Sequence, residues 1–271
     1  MEIGLGAPRD TIRLEKVGKE TRLIQNNTRA DLTSKMDTYA HRKVGQLSKT
    51  QLFGFILKSK SPSCGLFNMK VYKEGQNQMA ALDQGRFAKV LRDSFPYLPM
   101  EEEGRLSDPG LRENWVARVF AYYRFHTEIY PRPSMSKLVS FHSQNKFHIL
   151  SHCEASYRKL GKIVGNQEGL KPSEIAAEYE KIFMEALTKK STRAKNINVL
   201  DHMLGFFKKK LTSEVRSEIR LIISDYKKGL VPLIVPITLI KHYASILNVD
   251  YISNQTYLNP HPKELALRFG L

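Results

Sequence analysis

Two hydrophobic rhythms divide this chain, and the change between them falls near residue 130. Before that point, short apolar runs alternate with segments of helical spacing, the pattern of an α/β domain. "ADLTSKMDTYAHRKVGQL" puts Leu32, Met36, Tyr39 or Ala40, and Leu47 on the inward face of a helix capped near Asp31 or Thr33. "LFGFIL" follows, a continuously apolar run that predicts a strand buried on both faces. It feeds straight into "KSKSPSCG". "GLFNMKVYKEG" predicts a further strand closed by a Glu-Gly turn, and "GRFAKVLRDSFPYLP" a helix stopped before Pro96. "EEEGRL" reads as a short extended segment, leading through a turn at "SDPG" to the helix "LRENWVARVFAYYRFH".

After "YPRPS", residues 130–134, every segment has helical spacing. Helices are expected over 135–164, 172–190, 195–211, 212–228 and 236–248, with Ser173 as an N-cap and Pro236 in the first turn of the last one. "GLVPLIVPITLIKHY" is apolar almost throughout and predicts a central segment. The expected organisation is an α/β domain over residues 1–129 and an all-α domain over 134–271. No apolar run approaches the roughly 18–20 residues that cross a bilayer. The N-terminus lacks the basic-then-apolar plan of a signal peptide. Two cysteines at unrelated positions make no disulfide framework and point to the reducing cytoplasm.

Charge changes the picture of what the protein meets. The chain carries 43 basic and 27 acidic residues, a net charge of +16. Counted along the sequence, +5 falls on residues 1–115 and +11 on the remainder. A surplus of that size favours polyanions through counterion release, so nucleic acid is the expected partner and a membrane is not.

The chemistry-bearing candidate in the first half is the turn "SPSCG". It sits at the carboxyl end of an expected buried strand, where open α/β sheets put their sites. Pro62 stiffens it, Gly65 lets backbone approach closely, and Lys58 and Lys60 would favour a thiolate at Cys64. "GLGAPR", residues 4–9, is too short for a dinucleotide fingerprint. A lone cysteine is more often a buried structural residue than a ligand.

The segments "EIGLGAPRDTIRL", "ADLTSKM", "GFILKSKSPSCGL", "GRFAKVL" and "FPYLPMEEEGRLSDPGLRENWVARVFAY" together resemble the 2-thiouracil desulfidase family over residues 2–122. The resemblance implies a Rossmann-like parallel sheet and a 4Fe–4S cluster held by three cysteines, its open iron taking sulfur from a thiocarbonyl. By it, Cys64 matches the third cluster ligand and Ser61 a serine that assists at the active site. The family's other two cysteines and its acid/base glutamate lie upstream of the segment that Met1 opens. The implied sheet is therefore incomplete, one of three cluster ligands is present, and the chain as written is expected to be inactive as a desulfidase.

In the second half, "LVSFHSQNKFHILSHCEASYRKLGKIV" sets His142, Asn145, His148, His152, Ser156 and Lys159 within about 120° of one another on a helix. His148 and His152 have the i, i+4 spacing of zinc ligands but no accompanying glutamate. Histidines bonded within a packed core, or a polar and basic groove for phosphate or bases, are the other readings. "TKKSTRAK" and "FFKKKL" add basic clusters, with Phe206 and Phe207 more in keeping with core than with stacking. The nucleic-acid-binding candidates are His142, Lys146, His148, Arg158, Lys159, Lys208, Lys209 and Lys210. "LVSFHSQNKFHILSHCEASYRKLGKIV", "NVLDHMLGFFKKKLTSEVRSEI", "YKKGLVPLIVPITLIKHY" and "YLNPHPKELALR" resemble the YbgA-type helical domain from about residue 134 onward. Fused behind a desulfidase domain, that arrangement is similar to enzymes that convert 4-thiouridine in tRNA to uridine. A non-catalytic RNA- or DNA-binding protein with a relic first domain is the alternative. Action on free thiouracil is a third reading.

Overall fold

The computed structural model describes residues 10–165 and 169–265. "GLGAPR" lies outside them. The chain forms two compact units that meet in sequence between Asp108 and Pro109.

The first unit opens with a hairpin, β1 (Ile12–Val17) and β2 (Glu20–Gln25), turning at Gly18 with φ +59°. Helix α1 (Thr33–Leu47) follows and buries Met36, Ala40 and Val44. Leu32 occupies its N-cap without a side-chain bond, while Asp31 accepts the Thr33 N–H and the Thr33 hydroxyl accepts the Leu23 N–H. The cap expected at Asp31 or Thr33 is thus spent on tying the helix start to β2. Strands β3 (Phe55–Leu57), β4 (Met69–Lys73) and β5 (Met79–Asp83), helix α2 (Arg86–Ser94) and strand β6 (Met100–Glu102) complete the unit.

Four strands form a mixed sheet in the order β2-β1-β4-β5, in which β1 and β4 run parallel with Leu14 opposite Val71. The other sheet is the parallel pair β3 and β6, with Phe55 opposite Met100 and Leu57 opposite Glu102. The expected two-sided burial of "LFGFIL" does not hold: β3 has one neighbour among the described residues, and Ile56 is 49% exposed. An apolar run marks a strand but does not supply a second partner for it.

The second unit is helical. Helix α3 (Pro109–Glu128) packs on α6, where the His126 ring meets the Glu180 carboxylate at 2.7 Å and Asn114 donates to the Leu187 carbonyl. The remaining helices are α4 (Met135–His152), α5 (Glu154–Gly165), α6 (Pro172–Thr188), α7 (Arg193–Gly205), α8 (Ser213–Lys228), α9 (Ile234–Ile246) and α10 (Asp250–Ser253). Ser134, Thr192 and Thr212 each cap a helix through a side-chain oxygen, and Gly229 ends α8 at φ +82°. Lys171, not Ser173, is the N-cap of α6, because Pro172 fits the first helical position and Glu174 reaches back to the Lys171 N–H. One apolar core joins Phe147 of α4 to Val199 and Met203 of α7, Ile219 of α8 and Ile240 of α9. Among the described residues, no helix is long and apolar enough to cross a membrane.

The single helix expected over 135–164 is two. It breaks at Cys153, whose backbone is extended at φ −155° and ψ 107°. No glycine or proline marks the break. It is held instead by tertiary bonds: His152 Nδ1 donates to the Lys189 carbonyl, and the Lys195 ammonium donates to the His152 carbonyl, both at 2.6 Å. Those partners come from α6–α7, so the local sequence carries no sign of them.

Candidate functional sites

In the first unit the turn 61–65 is built from its own side chains, and two consecutive glutamates hold the backbone on either side of it. Ser61 Oγ accepts the Cys64 N–H at 3.2 Å and lies 3.0 Å from Ser63 Oγ, which stands 3.4 Å from the Cys64 thiol. The Ser61 carbonyl takes the Gly65 N–H at 2.7 Å. Because β6 runs parallel to β3, its carboxyl end delivers Glu102 and Glu103 to the loop that leaves β3. Glu102, buried, accepts the Leu66 and Phe67 N–H groups. Glu103 accepts from the Ser59 N–H and hydroxyl and pairs with Lys58 at 2.9 Å. The Lys58 ammonium and then the Ser59 N–H hold the Glu103 carboxyl down at about 2. Lys58, expected from its position to favour a thiolate at Cys64, is instead engaged with the Glu103 carboxylate.

Two glycines admit this packing. A Cβ on Gly65 would lie 2.1 Å from Met69 Sδ and 2.9 Å from the Ser61 carbonyl. A Cβ on Gly85, at the start of α2, would lie 2.5 Å from the Ser63 carbonyl carbon and oxygen. The first N–H groups of α2 close on the turn, Phe87 donating to the Ser63 carbonyl at 2.9 Å. Glu102, Glu103 and Gly85 are the residues that sequence reasoning missed. Their roles depend on which strand lies beside β3.

Cys64 and Cys153 are the two cysteines of the chain. Cys153 belongs to the helical unit, where burial pushes its thiol up and hydrogen bonds at Ser156 and from Lys189 outweigh this, bringing it down to about 7. Among the described residues, no three His, Cys, Asp or Glu side chains are grouped to hold a metal ion. A cubane takes cysteine at most of its irons, and the turn offers one thiol whose polar neighbour is a serine hydroxyl. The residues present do not fit a 4Fe–4S cluster.

In the helical unit the candidates of α4 separate by exposure. His148 is 2% exposed, its ring 5.0 Å from that of His152 in an edge-to-face pair. His142 faces Tyr179, whose hydroxyl is 3.2 Å from Nδ1, and burial, aided by Lys146, depresses its pKa to about 4. His148 is a core residue, and His142 is half-buried beside Tyr179. Lys159 is exposed on α5, and Lys208, Lys209 and Lys210 lie in the turn after α7, which ends at Gly205 and not at 211. Lys210 spends its ammonium on the Leu247 carbonyl at 2.7 Å, at the end of α9.

Lys146 and Arg158 both line a groove of about 660 Å³ between α4, α5 and α7. Lys195 lines it too, with the rings of Tyr157 and Phe206. The Lys146 ammonium lies 5.2 Å over the Tyr251 ring and has no carboxylate partner among the described residues. Arg158 pairs with Glu154 at 2.6 Å on the exposed face of α5. Phe207 is fully buried, as expected, but Phe206 is 45% exposed and stacks on Tyr251 with ring centroids 5.0 Å apart. The break at Cys153 creates this groove by turning α5 away from the line of α4.

Residues 1–103 match the family described as 2-thiouracil desulfurase, and residues 146–262 match the family described as protein of unknown function DUF1722. A 2-thiouracil desulfurase-like domain is thus present, followed by a YbgA-type helical part. The chain is 27% identical to the uncharacterized protein YbgA of Escherichia coli (strain K12) over 157 residues, which covers 58% of this chain and 93% of that protein. No solved structure matches the chain.

Proposed function

We propose that this protein binds tRNA that carries thiolated uridine, with the helical unit gripping the RNA. The observation that carries this reading is the groove that joins Lys146, Arg158 and Lys195 to the exposed Phe206 ring. Cations set beside a partly exposed aromatic ring suit an unpaired nucleotide, since every base has a π face and every linkage a charge. The excess of +11 beyond residue 115 supplies the long-range attraction. The test is binding of tRNA with and without 4-thiouridine at about 50 and 200 mM salt, where each phosphate contact contributes about 0.7–0.9 to the slope of log affinity on log salt. Affinity should fall steeply, and Lys146→Gln and Arg158→Gln should each shallow the slope by about one contact. A flat salt response would overturn the reading.

A second reading, removal of sulfur from 4-thiouridine in tRNA, is favoured by the desulfurase-like match and by the tightly made Ser61–Cys64 turn. Because the residues present do not fit the cluster, we derive no step through it. The part that falls to this chain is positional: Ser61 fixes the backbone of Cys64, and Ser63 orients its thiol. Iron content and loss of the thiouridine absorbance, followed with tRNA and with free 2-thiouracil as substrates, decide this reading. Protein without iron that leaves both substrates unchanged would sink it while leaving the RNA-binding reading untouched.

A further inference from the structure

We propose that Cys153 and Lys189 are a modification site, joined under peroxide by a sulfenamide bond from Sγ to Nζ that ties the start of α5 to the end of α6. The two groups already touch: the Lys189 ammonium donates to the Cys153 sulfur at 3.2 Å, from 36 residues away in the chain. Both are held in place by other bonds. The Lys189 carbonyl accepts from His152 Nδ1, and the His152 carbonyl accepts from the Lys195 ammonium, each at 2.6 Å. The lysine side chain therefore starts from a point fixed beside the thiol. Its ammonium has no carboxylate partner among the described residues.

The surroundings make this pair reactive. Burial pushes the Cys153 thiol up, but hydrogen bonds at Ser156 and from Lys189 outweigh it and bring the thiol to about 7, so much of it is thiolate at neutral pH. The sulfur also belongs to the residue just before α5, where a helix N-terminus favours negative charge. Cys153 keeps 9% of its surface and Lys189 is exposed, which leaves a route for an oxidant the size of peroxide. One peroxide balances the step. The thiolate attacks a peroxide oxygen, the O–O bond breaks, and sulfenic acid and hydroxide form. The hydroxide takes one proton from the Lys189 ammonium and becomes the first water. The free amine attacks sulfur, the S–O bond breaks, and the departing hydroxyl takes a second proton from nitrogen as the second water. Sulfur is oxidised by two electrons and peroxide is reduced. A nucleophile at 3.2 Å thus intercepts the sulfenic acid before a second oxidation. The bridge spans the break that separates α4 from α5, a thiol reductant reopens it, and none of this rests on the RNA reading.

The test is tryptic peptide mapping of the full chain after titration with hydrogen peroxide, with the melting temperature recorded on the same samples. Segments 147–158 and 182–190 should appear joined, at a mass about 2 Da below their sum, and dithiothreitol should separate them. The joined pair identifies the bridge directly and distinguishes it from a disulfide to Cys64. The melting temperature should rise by at least about 5 °C, because the bond closes a long loop in the unfolded chain. Lys189→Arg changes an exposed residue, keeps a cation at the sulfur and removes the attacking amine. Its Cys153 should run on to sulfinic acid, a gain of about 32 Da, with no joined segments and no rise in melting temperature. Cys153→Ser should give neither product. Sulfinic acid at Cys153 of the unaltered chain, with Lys189 still open to trypsin, would overturn the proposal. So would a Cys153 that stays reduced while Cys64 is oxidised.

Discussion

Replacing Gly85 with alanine isolates the close approach on which the cysteine turn depends. Gly85 has φ −62° and ψ 144°, a conformation open to any residue, so its backbone does not require glycine. On unfolded-state entropy alone the change would stabilise by about 0.4–1 kcal/mol. The new methyl carbon, however, would stand 2.5 Å from the Ser63 carbonyl group and 2.7 Å from the Cys64 nitrogen, where ordinary contact begins at 3.4 Å. All three are backbone atoms, so no side chain swings away. The turn and the start of α2 must part by about 0.9 Å, the difference between 3.4 and 2.5 Å. That stretches the bonds from Gly85 N–H to the Gly65 carbonyl and from Phe87 N–H to the Ser63 carbonyl, now 2.7 and 2.9 Å. Overpacking costs about 1–3 kcal/mol and each of the two bonds, if lost, about 0.5–1.5, which after the entropic gain leaves a net loss of about 1–5 kcal/mol. Gly45→Ala is the control, because it lies within α1 with nothing within 4 Å of the added carbon. It should gain about 0.5–1 kcal/mol. Urea midpoints at unchanged slope measure both, and the labelling rate of the Cys64 thiol reports the loosened turn. Equal midpoints for the two variants would refute the account of Gly85.

Three more outcomes follow from the same structure. Arg29, opposed by burial and aided by Gly75 and Arg13, holds the buried Glu15 carboxyl at about 2, so its contribution is complete above about 4.5 and is lost as pH falls through 2. Glu15→Gln should cost about 1–3 kcal/mol near neutrality. The gap to the parent should shrink when urea midpoints are compared at pH 6 and pH 3, and a constant gap would count against it. His142 behaves in the same sense in a higher pH window: burial depresses its pKa from 6.5 to about 4, so the unfolded chain takes up a proton that the folded chain refuses. Stability should fall as pH descends from 6.5 to 4, and His142→Gln should flatten that slope; an unaltered slope would contradict the partial burial of its ring. Phe206→Ala removes an exposed ring, so its melting temperature should barely move while tRNA affinity drops by about 1–3 kcal/mol, read by fluorescence anisotropy. Unchanged affinity would remove Phe206 from the RNA surface.

The sequence by itself determined the elements whose signal is local. The two halves, the helices α1, α2, α6 and α8, and the "SPSCG" turn at the end of β3 follow from spacing, proline and glycine. So does the burial of Phe207. What escaped it depends on partners distant in the chain. The break at Cys153 is stabilised by Lys189 and Lys195, more than 35 residues away, and no breaker residue announces it. Without the break, the stripe from His142 to Lys159 reads as one polar face; in the fold His148 is buried and His142 half-buried, while Lys146 and Arg158 line one groove. Likewise "EEE" is only an acidic run until β6 lies parallel to β3 and hands two of its carboxylates to the turn. Local spacing fixes which face of an element is apolar. Which cation meets a carbonyl and which meets solvent is decided by the neighbour that the tertiary fold brings to it.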